Sequence, residues 1–319
     1  MMSFIIADMV ISKPKPYPIL LLLDGSASMN TGGRIGTLNE AVDELLLALT
    51  REEQKGFEFL VSIIVFRGEQ AELLHKGVQP SKLNYTPIEA RSTTPLGSAL
   101  QVATELIEDP INTPSRAYRP LVVLVCDGQP TDDWLEKLER FVSEGRTSKC
   151  DRMALGVGDQ LPERAQEMLR RFVEGTGHDV MSATESSEIT RFFKFITMSV
   201  VVRSNSKNPK LIPDQQQVWQ AVGSLTNIEE TEFQNLVNEM RPLGFVESSE
   251  ISKYIINNHL CDRYPRISGC AQMSSGYCSW RFNGAIVPRY YARLCSALNL
   301  SDKRSGARVQ RFSSYASMS

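Results

Sequence analysis

Three short stretches of this chain collect side-chain oxygens where the backbone has to change direction. The first is Asp24-Gly25-Ser26-Ala27-Ser28, a D-x-S-x-S pattern directly after the apolar run Ile19–Leu23. The second, Ser92-Thr93-Thr94-Pro95-Leu96-Gly97-Ser98, is rich in hydroxyls and leads into a helical pattern. The third, Asp127-Gly128-Gln129-Pro130-Thr131-Asp132, follows the apolar run Leu121–Cys126. Carboxylates and hydroxyls are hard donors, and a small hard cation such as Mg2+ takes an octahedral set of oxygens, some of them water. Acid–base or nucleophilic catalysis has less to work with. The three histidines, His75, His178 and His259, lie outside these loops. No nucleophile–base pair stands out, and a phosphate-cradling G-x-x-x-x-G-K-[ST] loop is missing. The competing use of such residues is local: Asp and Ser after a strand cap the next helix. Asp132 or Asp133, just before Trp134, suits that role.

The oxygens need a rigid frame, and the apolar pattern supplies one. Ile19–Leu23, Phe59–Phe66, Leu121–Cys126 and Met153–Val157 are short continuous apolar runs, as expected of strands buried on both faces of a parallel sheet. Ala71–Leu74 reads as a short edge strand and Val180-Met181 as a last strand. Between them, helical periodicity runs through Leu38, Val42, Leu45, Leu46 and Leu49, then through Leu96–Ile107, Trp134–Val142, Leu161–Val173 and Ile189–Val202. Pro162 stands near the start of the fourth, where proline is tolerated. Strand–helix alternation predicts an α/β fold, a doubly wound and mostly parallel sheet flanked by helices. In such sheets ligands sit at the carboxyl ends of the strands. Asp24 and Asp127 both stand just past such an end, which makes them one site.

The three loops, in this order and setting, resemble the metal-ion-dependent adhesion site of the von Willebrand factor A family. The resemblance covers roughly the first two-thirds of the chain, the size of one domain. It implies that Ser26 and Ser28 are direct hydroxyl ligands, that Asp24 and Asp127 hold the metal directly or through water, and that Thr94 is the ligand of the middle loop. A one-residue slip would put Thr93 there instead. The implied cofactor is Mg2+, with Mn2+ or Ca2+ as substitutes. A carboxylate from a partner protein then fills the open metal position. Two positions depart from the family pattern. Many members have Gly where Ala27 stands, which matters if that residue needs a positive φ, and a bulkier residue where Gly25 stands. Tyr17–Asp24, Arg119–Val122 and Asp127–Trp134 resemble bacterial cytosolic members of the TerY kind, linked to tellurite resistance and stress response. That likeness implies a non-enzymatic adaptor in a stress-response or defence assembly, with a kinase or phosphatase of the same system as partner.

The chain has 319 residues, 42% of them apolar and 23% charged, with a formal net charge of -2. The balance leaves no overall basic footprint for nucleic acid. The apolar runs are too short for a membrane span. The start of the chain lacks the basic and cleavage features of a secretory signal, so a cytoplasmic location is expected. The six cysteines are sparse and fit reduced thiols. Residues 1–203 are expected to form the metal-binding domain and 204–213 a polar linker. A mainly helical domain should follow over 214–300, with helices at Gln216–Leu225, Glu230–Met240, Tyr254–Leu260 and Tyr290–Leu298, and then a disordered tail over 301–319. His259, Cys261, Cys270 and Cys278 lack C-x2-C spacing, so zinc is not assigned there. Arginines 263, 266, 281, 289 and 293 lie among Tyr, Trp and Phe residues, a mixture found in protein interfaces and in nucleic-acid surfaces alike. Metal-assisted phosphohydrolysis and nucleic-acid binding through this region are the alternative functions.

Overall fold

The computed structural model describes residues 15–205 and, beyond them, scattered positions within 218–243 and position 298. The chain falls into two compact units, Met1–Gly223 and Ser224–Ser319. In the second unit, residues 234–240 are helical, within the segment read as a helix over Glu230–Met240. The expected helices at Tyr254–Leu260 and Tyr290–Leu298, the cysteine group around Cys261–Cys278, the Arg–aromatic region and the tail lie outside the described residues.

The first unit is built on a six-stranded sheet. Its strands are β1 (Pro16–Asp24), β2 (Glu58–Arg67), β3 (Gln70–Val78), β4 (Leu121–Cys126), β5 (Asp151–Val157) and β6 (Met181–Ala183). Their spatial order is β3-β2-β1-β4-β5-β6. All neighbours pair parallel except β2 and β3, which form an antiparallel hairpin at the edge. Its helices are α1 (Arg34–Glu53), α2 (Leu96–Glu108), α3 (Leu135–Ser143), α4 (Glu163–Val173) and α5 (Ser186–Asn205). This is the doubly wound, mostly parallel arrangement expected from the apolar runs.

The alternation of side chains along each strand divides the core in two. Ile19, Leu21 and Leu23 of β1, with Val123 and Val125 of β4, pack against α1 and α5. Leu20 and Leu22 of β1, with Val122 and Leu124 of β4, pack against α2, α3 and α4. Burial on both faces is why these strands read as unbroken apolar runs.

Two elements differ from the sequence expectation. β3 has nine residues where four were read. Its side chains are at most half-buried, with Ala71, Leu74 and Val78 packed on the core, so much of its length is held by backbone bonds to β2 and leaves only a weak apolar pattern. α5 runs through Asn205, two residues into the stretch read as linker. An ion pair explains that extension. Arg203 in its last turn is buried, with NH2 2.6 Å from Asp151 Oδ2 and NH1 donating to the Tyr17 hydroxyl at 2.9 Å. His178 Nε2 completes the group, 3.0 Å from Asp151 Oδ1. Asp151, Tyr17 and Arg203 thus tie β5, β1 and α5 together at the amino ends of the strands. Among the described residues, no helix is long and apolar enough to cross a membrane.

Candidate metal centre

The topology places one crevice at the carboxyl end of the sheet. Chain order reverses between β1 and β4, because β2 and β3 extend one way from β1 while β4, β5 and β6 extend the other. Loops leaving β1 and β4 therefore diverge and open a cleft. Asp24 ends β1 and Asp127 follows β4, so both acids flank it.

The β1 loop turns immediately after Asp24. Asp24 Oδ1 accepts from the Ser26 N–H at 2.8 Å, closing a tight Asx-type turn. The other oxygen, Oδ2, accepts from the Asp127 N–H at 3.3 Å. The loops from neighbouring strands are therefore joined through one carboxylate. The Ser26 and Ser28 hydroxyls lie 2.9 Å apart, and Ser28 Oγ donates to Asp127 Oδ1 at 2.6 Å. Asp24, Ser26, Ser28 and Asp127 thus form one hydrogen-bonded cluster of oxygens.

The loop carrying Thr94 is tied to the other two by backbone hydrogen bonds. The Ala27 N–H donates to Ser92 O at 3.0 Å, and the Arg91 N–H donates to Gly25 O at 2.8 Å. On the other side, the Thr131 N–H donates to Thr94 O at 3.0 Å while Thr131 Oγ1 accepts from the Thr94 N–H at 3.1 Å. The middle loop is clamped between the other two. Thr94 is buried and, among the described residues, its hydroxyl makes no hydrogen bond. Thr93 is exposed and its hydroxyl donates to the Gly68 carbonyl. The two threonines are therefore not equivalent, and only Thr94 has its hydroxyl unspent.

Three features of this arrangement were not legible as site residues in the sequence. Asp132 does not cap the helix that follows it. Its two carboxylate oxygens accept from the N–H groups of Gly97 and Ser98, each at 2.9 Å, so it caps α2. Gly97 permits that approach: a Cβ there would meet Asp133 O at 2.8 Å and Trp134 Cα at 2.9 Å. Glu72 is held by Arg67, whose Nε and NH2 donate to it at 3.2 and 2.9 Å, and by Arg91 NH2 at 2.8 Å. Those hydrogen bonds hold its carboxyl down at about 2, against the cost of partial burial. Ser92 is left-handed at φ 59°, the sole non-glycine among the described residues to be so. Ala27 is therefore free of the strain that a Gly-to-Ala departure raises. Gly25 has its own reason to be small, since a Cβ would come within 2.9 Å of Val65 Cγ1 and 3.1 Å of Arg67 Cδ.

The electrostatics favour a cation. Asp24 is fully buried, and burial followed by repulsion from Asp127 raises its carboxyl to about 6. Burial also raises Asp127, although the Ser28 hydrogen bond and Arg34 oppose it. Asp127 Oδ2 is buried with no hydrogen-bond partner. Its nearest cation is Arg34 NH1 at 3.6 Å, beyond hydrogen-bond reach. Between the acids, Cys126 is buried and hydrogen-bonds Gly128 O through sulfur at 3.2 Å. Burial and the charge of Asp24 push that thiol well up, so it stays neutral. Two close carboxylates with little compensating charge, one oxygen unsatisfied, and hydroxyls beside them are a donor set that a hard divalent ion fits. Among the described residues, no group of three or more His, Cys, Asp or Glu is arranged to hold a metal ion by itself. A set built on hydroxyls would not register in such a group.

The von Willebrand factor type A domain profile matches residues 19–194. No curated protein sequence matches the chain. Similar solved structures include a von Willebrand factor type A protein from Catenulispora acidiphila, at 14% identity and TM-score 0.46, covering 58% of this chain and 42% of that one. The ArnB paralog VWA2 from Sulfolobus acidocaldarius is 16% identical at TM-score 0.44, covering 60% and 46%. Proximal thread matrix protein 1 from the mussel byssus, solved with a zinc-occupied MIDAS motif, is 13% identical at TM-score 0.41, covering 58% and 45%. This chain spans less than half the length of each of these three structures.

Proposed function

The chain belongs to the von Willebrand factor type A domain family, and on that premise we propose that it is a divalent-metal-dependent protein-binding module. Asp24, Ser26, Ser28, Thr94 and Asp127 would hold the ion, with Mg2+ as the resident metal and Mn2+ or Ca2+ as substitutes. The ion would supply a Lewis-acidic position for one carboxylate of a partner protein. The chain's own residues do the rest. Asp24 and Asp127 bring the negative charge, Ser26 and Ser28 present neighbouring hydroxyls with that of Ser28 held by Asp127, and Asp132 locks the β4 loop onto α2. The observation that carries the reading is the pair of buried acids beside the switch point, with Asp127 Oδ2 left without a hydrogen bond. A buried carboxylate oxygen without a hydrogen bond costs stability, and Arg34 NH1 at 3.6 Å offsets only part of the charge of two close acids.

The partner is a protein with an acidic side chain on its docking face. The stretches Tyr17–Asp24, Arg119–Val122 and Asp127–Trp134 support placing the chain with TerY-like adaptors, in a cytoplasmic stress-response or defence assembly that includes a kinase or phosphatase. Domain limits follow the same reading, with a binding domain over 1–203, a linker over 204–213 and a helical domain over 214–300, the first limit moved to Asn205 where α5 ends.

The test is calorimetric titration of the full chain with Mg2+ and Mn2+. Wild type should bind one ion and Asp24→Ala none. Thr94→Val should weaken binding about 10-fold or more, while Thr93→Val, whose hydroxyl serves Gly68, should leave it unchanged. Equal affinity in wild type and Asp24→Ala would overturn the proposal.

A further inference from the structure

Arg34 stands at the rim of the same centre, and holding a metal gives it no task. It is the first residue of α1, directly after the 3-10 segment Ala27–Gly33 that continues the β1 loop. Its NH1 lies 3.6 Å from Asp127 Oδ2, a charge contact longer than a hydrogen bond. Among the described residues, its guanidinium donates no hydrogen bond, and the side chain is 20% exposed. The group also has a seat. Gly158, just past the carboxyl end of β5, has φ +124°, and a Cβ there would lie 3.2 Å from Arg34 NH2 and 3.5 Å from its Cζ. The guanidinium thus rests on bare backbone on one side and faces Asp127 on another.

A guanidinium carries five donors in a flat fork that matches a carboxylate. Here that fork is held in place, partly open to solvent, and unspent. Its charge repels a divalent ion, so its presence beside Asp127 does not serve metal affinity. It does serve an anion that arrives at the ion.

We propose that Arg34 is the second anchor for the partner's acidic side chain, taking one carboxylate oxygen while the metal position takes the other. The inference rests on the metal-dependent reading above and names the residue that selects a carboxylate over a neutral oxygen ligand. Two-point capture fixes the orientation of the incoming group, which one metal bond does not.

The experiment uses the full chain loaded with Mn2+, with acetate as the carboxylate probe and acetamide as its neutral counterpart. Water-proton relaxation reports the loss of metal-bound water as the probe enters. In the wild type, acetate lowers relaxivity at concentrations where acetamide does not. Arg34→Gln should need about 10-fold more acetate for the same drop, the loss expected for one charge-assisted hydrogen bond. Its Mn2+ affinity should be unchanged or tighter. Arg34→Lys keeps the charge but loses the fork, so it should fall between the two. It also carries the test if the glutamine variant fails to fold. Wild-type acetate sensitivity in both variants overturns the proposal and leaves the metal reading standing. Mn2+ affinity lost in step with acetate binding also overturns it, since Arg34 would then only support the loops. If the wild type binds no Mn2+, both readings fall together.

Discussion

Asp24→Asn gives a sharp test of the electrostatics at the centre, because its effect on stability should depend on both pH and metal. The Asp24 carboxyl is raised from 3.8 to about 6 by burial and by the charge of Asp127. Between those two values the native state holds a proton that the unfolded chain has released, so stability falls as pH rises through the window. A shift of that size corresponds to about 3 kcal/mol at neutral pH. Asparagine cannot ionise and escapes the loss. It does bring a fixed cost, because one of its atoms becomes a donor facing the N–H of Ser26 or Asp127. That cost does not vary with pH and cancels in the slope. In EDTA, the stability of Asp24→Asn minus that of the wild type should therefore rise by about 3 kcal/mol between roughly pH 4 and pH 7. Urea unfolding followed by circular dichroism measures it, and taking the difference cancels the titrating groups that do not couple to Asp24. Saturating Mg2+ should cancel most of that rise at pH 7, since an ion at about 100 times its Kd stabilises only the wild type, by about 2.7 kcal/mol. A difference that stays flat with pH in EDTA would mean that Asp24 is neither desolvated nor repelled by Asp127, and the argument for a cation would fail with it.

Two further outcomes test the frame around the site. Asp132→Ala removes the acceptor for two N–H groups in the first turn of α2 and should cost about 1–2 kcal/mol in urea unfolding. It should also weaken Mg2+ binding by calorimetry, because the loops carrying Thr94 and Asp127 meet there; unchanged affinity would show that the loops hold without it. Asp151→Asn leaves Arg203 buried without its charge partner and should cost about 3 kcal/mol or more. Burial raises Asp151, but the His178 hydrogen bond and Arg203 outweigh it and hold the carboxyl below its usual value. The stabilisation is thus present above the ordinary carboxylate range and lost as pH falls through the lowered value. The variant should therefore lose less stability than the wild type on acidification. Its metal affinity, measured where it is folded, should match the wild type, since Asp151 opens β5 at the end of the sheet away from the crevice.

What the sequence determined by itself was the frame and the placing of Asp24 and Asp127 at its carboxyl end. Strands buried on both faces have no freedom in composition, so β1, β2, β4 and β5 showed as apolar runs, and the helices between them as stripes. Those runs forced Asp24 and Asp127 to the same end of one sheet. The tertiary structure decided what each polar side chain is spent on. Thr93 and Thr94 are neighbours of one type, and only the Gly68 carbonyl against Thr93 separates their uses. Asp132 carries the local signature of a cap, yet it serves a helix that begins earlier in the chain. Arg34 looks like any solvated first-turn arginine until Gly158 and Asp127 are folded against it. β3 hid its length because much of an exposed edge is held by backbone bonds that side-chain pattern does not record. Burial is a property of many residues together and leaves a periodic trace in the sequence. A hydrogen bond or ion pair depends on one partner, brought near by folding, and leaves none.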